Sequence, residues 1–185
     1  MPWQETSHVL RKKRPTMATG VRLQVAIDQI KFARAYTLQL LEDVHDDEWF
    51  VIPTGSVSHL AWQMGHLAMA EYGLTMLRLR GKEPSDAEFI TNDFMRAFKK
   101  GSSPHAGSAA YPAFANIRRT FDAVHERALR ELDGYAEEEL QAEIPEPYAV
   151  TNTKLGSVFF CPHHEMLHAG QIGLLRRLLG KDPVR

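Results

Sequence analysis

Four stretches of more than twenty residues repeat their apolar side chains at the helical period, and no stretch alternates convincingly at period two. The first spans roughly Val21 to Val44. Val21, Val25, Ile27, Ile30, Ala33, Leu38 and Leu41 recur in it, with Asp28, Lys31, Arg34 and Glu42 between them. The second, Val57 to Arg80, follows the turn signal Pro53-Thr54-Gly55, is capped by Ser56 or Ser58, and stops at Gly81. The third covers Pro112 to Leu132, with Gly134 beyond it. The fourth covers Leu155 to Leu179 and ends at Gly180, and Pro162 inside it predicts a kink or a restart. Between the second and third lies one long connection. Capping-box spacing from Ser85 to Glu88 predicts a short crossing helix there, Asp86 to Lys99. The expected fold is therefore all-α: a four-helix bundle with a long crossover between helices 2 and 3 that contains a short extra helix.

A chain of 185 residues suits one domain. We expect a bundle domain over residues 18–185, preceded by an extension at 1–17 whose basic run Arg11-Lys12-Lys13-Arg14 reads as a solvated tail. The composition narrows the function. With 22 Lys+Arg against 23 Asp+Glu, the chain lacks the basic excess of a nucleic-acid binder. Its one cysteine excludes an intrachain disulfide and a Cys-rich zinc site. No apolar run approaches the roughly 18–20 residues of a membrane span, and no secretory core is present, so the expected location is cytoplasmic and the expected partner a small molecule.

The nine histidines are the unusual count. His164 and His168 are four apart on the last helix. That spacing leaves them about 40° apart and about 6 Å along the axis, so both rings can reach one ion. Their stripe continues through Gln171, Leu175 and Leu178 and backward to Phe160, which predicts an inward face. His163 diverges from it. His163-His164-Glu165-Met166-Leu167-His168 also contains the His-Glu-x-x-His of zinc proteases, but no later His or Glu follows to complete that site. The third ligand must come from upstream. On helix 2, His59 and His66 share a stripe with Gln63, and His66 lies at mid-helix as the pair does. Three neutral imidazoles suit zinc, nickel or ferrous iron and leave coordination positions open, the pattern of a catalytic site.

Other constellations compete. Glu42-x-x-His45 and Glu165-x-x-His168, completed by Glu71 and Glu126, match the di-iron bundle signature, though their depths match poorly. Cys161, three residues before His164, is a further ligand candidate or a small buried hydrophobe. His8 and His105 fall in polar loops, and His45 and His125 read as surface positions. Trp49, Trp62 and Tyr72 read as packing residues. Glu165, offset by 100° from His164, either bonds a neighbouring helix or acts beside the metal as a base or orienting group.

Two motifs carry a resemblance: Ser58-x4-Gln63-x2-His66-Leu67-Ala68, and His164-x3-His168-Ala169-Gly170-Gln171-Ile172 followed by Leu175-Arg176-Arg177. In these, over about residues 18–181, the chain resembles the DinB/YfiT-like superfamily of metal-dependent bundle enzymes. The resemblance implies one divalent metal per chain held by His66, His164 and His168. Zinc or nickel comes first, and iron or manganese follow. It also implies a low-molecular-weight thiol as cosubstrate for transfer or isomerisation, with Gln63 and Gln171 in the pocket, and a homodimer. A hydrolase using water at the metal, with Glu165 as base, is the alternative enzyme. A binding or stress-response module with a structural metal or none is the non-enzymatic one.

Overall fold

The computed structural model describes residues 20–145 and 151–184; the expected extension at 1–17 lies outside them. Among the described residues the chain is all-α. Its helices are α1 (Val21–Leu41), α2 (Leu60–Tyr72), α3 (Arg78–Arg80), α4 (Asn92–Phe98), α5 (Phe114–Leu132) and α6 (Lys154–Leu178). No helix among these residues is long and apolar enough to cross a membrane. A π-helical turn, Gly73–Leu77, joins α2 to α3, so residues 60–80 form one continuous rod that ends where Gly81 adopts φ +81°.

Directions follow from the cross-helix bonds. Arg34 meets Glu165, and Arg176 donates to the Leu40 carbonyl, so α1 and α6 run the same way. Glu71 meets His125 and Arg80 meets Glu131, so the α2–α3 rod and α5 also run the same way. Gln63 opposite Gln171, and Leu74 opposite Ser157, set α2 against α6 in opposite directions. The rod is central. Leu60, Met64, Leu67 and Tyr72 are almost completely buried, and burial of a side chain of that size stabilises by roughly 1.5–3 kcal/mol.

Several expectations are corrected. The second helix begins at Leu60, and its cap is His59, whose Nδ1 accepts from the Trp62 amide, in place of Ser56 or Ser58. In the crossover, the reciprocal capping box joins Glu83 and Asp86 around a 3-10 turn at Pro84–Glu88. The helix proper starts only after Thr91, whose hydroxyl caps it. Arg34 lies inside the core, whereas Val21 and Val25 are exposed. The inward stripe of α1 is Leu23, Ile27, Ile30, Arg34, Thr37 and Leu41, and Arg34 is tolerated there because its charge is paired. His125 is half-buried, bonded to Glu71.

Pro162 neither breaks nor restarts α6, which runs through it from its Thr153 cap. The proline lacks one N–H, but it is buried, as are Val158, Cys161 and Glu165 on the same helix, and the packing of that buried face outweighs the lost bond. Beside it, the His163 ring donates from Nδ1 to the Phe159 carbonyl at 2.7 Å. Trp49, Trp62 and Tyr72 are buried, as packing residues should be.

Candidate metal centre

His66, on α2, and His164 and His168, on α6, converge. One ring nitrogen from each lies within 4.8 Å of the other two, the one such group of His, Cys, Asp or Glu among the described residues. Ring centroids are 5.3 Å apart for His66–His164, 4.7 Å for His66–His168 and 4.6 Å for His164–His168. The pair on α6 follows from four-residue spacing. The meeting with His66 depends on how α2 packs across α6.

Two of the rings are oriented by hydrogen bonds. His66 Nδ1 lies 2.7 Å from the Phe98 carbonyl, which can only accept, so Nδ1 carries the proton and the Nε2 lone pair is free. His168 Nδ1 lies 2.6 Å from Gln63 Oε1, which likewise leaves Nε2 free. Gln63 is held in turn, because its amide donates to Ser58 Oγ at 2.9 Å and to Gln171 Oε1 at 3.1 Å. Such partners fix the tautomer and aim of a ligating imidazole. Trp62 stacks on His66 at 4.8 Å and 10°, and its indole donates to Ser102 Oγ, which ties the crossover to α2. Phe160 packs 5.9 Å from His164.

Burial keeps the cluster neutral. It lowers the pKa of His66, brings His164 to about 4 and brings His168 to about 3, and the neighbouring rings deepen the last two shifts. Three neutral imidazoles with no competing carboxylate make a donor set that fits a borderline divalent ion such as zinc, nickel or ferrous iron. The stripe is less inward than expected: His164 and Leu175 are buried, His168 is half-buried, and Gln171 and Leu178 are exposed, so the cluster sits at the edge of the core.

The other candidates separate from it. Glu165 is buried and turned to α1, where Arg34 Nε donates to Oε1 at 2.8 Å and Arg34 Nη2 reaches Oε2 at 3.4 Å. Of the two roles expected for it, this is the bond to a neighbouring helix. The di-iron carboxylates do not assemble. Glu42 and His45 are exposed beyond the end of α1, Glu126 faces solvent, and Glu71 grips Arg34 at 2.7 Å. Cys161 is buried, and desolvation beside Glu71 and Glu165 pushes its thiol pKa well up, so it behaves as an apolar side chain. His59 is fully buried in its capping role.

Sequence reasoning missed Phe98 and Gly65. A Cβ at Gly65 would lie 2.5 Å from the Phe98 ring, so glycine lets that ring, and with it the carbonyl that orients His66, sit against α2. A glycine inside an otherwise strong helical pattern was the available signal.

No curated protein sequence matches the chain. A family model of the DinB superfamily matches residues 29–172, a span that covers most of the chain and includes all three clustered histidines. The chain belongs to the DinB superfamily.

Proposed function

We propose that the protein is a metal-dependent enzyme in which His66, His164 and His168 hold one divalent ion, zinc or nickel first, with iron or manganese as alternatives. The observation that carries this reading is the convergence of three neutral imidazoles, two of them with Nδ1–H tied back to Phe98 and Gln63 so that Nε2 faces the cluster. Three protein ligands leave coordination positions open, as catalytic rather than structural sites do. Held by these histidines, such an ion would supply the Lewis acidity that favours the thiolate of a low-molecular-weight thiol, the nucleophilic form for transfer to a small electrophile. The chain's own part is orientation and exclusion of competing protons. Gln63 and Ser58 hold His168, Phe98 holds His66, and burial keeps all three rings unprotonated at neutral pH.

The thiol reading is favoured over hydrolysis by Glu165. A hydrolase needs a base beside the attacking water, and the carboxylate next in sequence to His164 is committed to Arg34. The test is metal analysis of tag-free protein beside His66→Ala and His164→Ala variants, followed by a screen of small thiols against electrophiles. The expected result is near one ion per chain, lost in both variants, with turnover only when thiol is present. Wild-type protein that neither carries nor takes up zinc or nickel overturns the metal site. Turnover of esters or amides without thiol moves the reading to a hydrolase.

A further inference from the structure

A second buried cluster lies beside the first. Arg34 of α1 is 3% exposed. Its guanidinium closes bidentately on Glu165 of α6, donates to Glu71 Oε2 of α2 at 2.7 Å, and donates to the Phe121 carbonyl of α5 at 3.1 Å. The guanidinium carbon stands 3.5 Å over the Phe121 ring. The remaining oxygen of Glu71 receives His125 Nδ1 of α5 at 2.8 Å. One arginine therefore contacts α2, α5 and α6 from α1, and all of its partners are internal.

A network of this kind is weak evidence for stability, because desolvating the charges offsets much of their attraction. Its geometry points elsewhere. Glu165 is the residue after His164, and Glu71 lies five residues, about 7.5 Å, beyond His66 on its helix. The core around the network is apolar and includes small residues, Ala61, Ala68 and Ala169, and the other polar ties between the two helices, Gln63 to Gln171 and to His168, and Ser157 to the Leu74 carbonyl, are single hydrogen bonds between uncharged groups. Apolar contacts tolerate repacking when volume is conserved. A slip of α6 by one residue turns its face by 100° and removes both histidines from His66. A planar guanidinium fork accepts neither that rotation nor a sliding displacement, because it reads carboxylate position and direction together.

We propose that Arg34 is a positioning residue. By gripping Glu71 and Glu165 at once, it sets the register of α6 against α2 in which His66, His164 and His168 meet. The proposal rests on the three-histidine reading for its functional meaning but not for its structural test.

The test uses full-length Arg34→Met/Glu71→Leu/Glu165→Leu, which removes the network and leaves no unpaired charge from it, and Arg34→Lys, which keeps the charge and loses the fork. In metal-free protein the readout is the set of nuclear Overhauser contacts between the His66 and His168 rings. Zinc affinity is then measured by chelator competition. We expect a triple variant that unfolds at or above the wild-type urea midpoint, loses the inter-ring contacts, and binds zinc about tenfold or more weakly, with a smaller loss in Arg34→Lys. Inter-ring contacts that persist in the triple variant overturn the proposal. Should the triple variant not fold, contacts and affinity unchanged in Arg34→Lys overturn it. Wild-type protein that binds no zinc sinks the metal reading, while loss of the ring contacts in the variants still upholds the register role.

Discussion

His164 and Glu165 are consecutive on α6 and face two different kinds of buried polar cluster. The carboxylate enters a closed network in which Arg34, Glu71, Phe121 and His125 supply partners to one another. The imidazole enters an open one. His164 has no hydrogen-bond partner among the described residues, and the free nitrogens of His66 and His168 face it across less than 5 Å. The difference separates structural from functional polarity. A buried group whose bonds are all internal has nothing left with which to meet a ligand. A cluster whose outer atoms are tied down while its inner lone pairs stay free is prepared for one.

The sharpest break in that comparison is His168→Ala. It should abolish stoichiometric metal binding and leave the helical circular dichroism signal largely intact. Unchanged metal content in that variant would show that the open cluster is not a metal site. The closed cluster should respond in the opposite way. Arg34→Leu leaves two buried carboxylates without their cation, so urea unfolding of metal-free protein should show a loss of about 3–5 kcal/mol. A loss below ~1 kcal/mol would mean that water, not Arg34, satisfies those carboxylates.

Protons probe the buried imidazoles directly. Burial holds His59 and His164 near 4 and His168 near 3, below the ordinary value of 6.5. Between about pH 4 and 6.5 the folded metal-free protein therefore binds fewer protons than the unfolded chain, and stability must rise with pH across that window and level off above about pH 7. His59→Asn, which keeps a capping side chain, should flatten the slope by up to ~1.4 kcal/mol per pH unit. An unchanged slope would show that His59 is not held neutral.

Gln63→Leu tests the outer tie of the open cluster and should weaken zinc binding by about 10–100-fold while the protein stays folded. Equal affinity would remove Gln63 from the site. The smallest effect belongs to an exposed pair. Glu126 and Arg130, 3.7 Å apart on the outer face of α5, should contribute no more than ~0.5 kcal/mol when Glu126→Gln is compared with wild type by urea unfolding.

The two clusters also differ in how far the sequence discloses them. The histidine pair on α6 is a matter of spacing within one helix, and a mid-helix His66 on a neighbouring apolar rod completes it, so these three residues stand out before any packing is known. Arg34 does not. At the helical period it falls among apolar residues, yet a lone arginine there reads as a charged face, because its burial depends on carboxylates 37 and 131 residues away. Val21 and Val25 mislead in the reverse sense: they are apolar but fall outside the stripe that α6 covers. His59 as a cap, Phe98 as the acceptor that orients His66, and the Glu83–Asp86 box all depend on where irregular backbone settles, which helical periodicity does not encode. Pro162 shows the same limit, since a local helix breaker is overridden by contacts distant in sequence.

The side-by-side run of α1 and α6 also sets an order of events during synthesis. After α1 ends at Leu41, the ribosome must add residues 42–153 before α6 begins at Lys154. At translation rates of roughly 5–20 residues per second, that interval lasts about 6–22 s. Through it the inner face of α1, with Leu23, Ile27, Ile30 and Arg34, lacks the helix that covers it, and His66 lacks the two histidines that α6 supplies. The three histidines can therefore meet only after α6 has been translated.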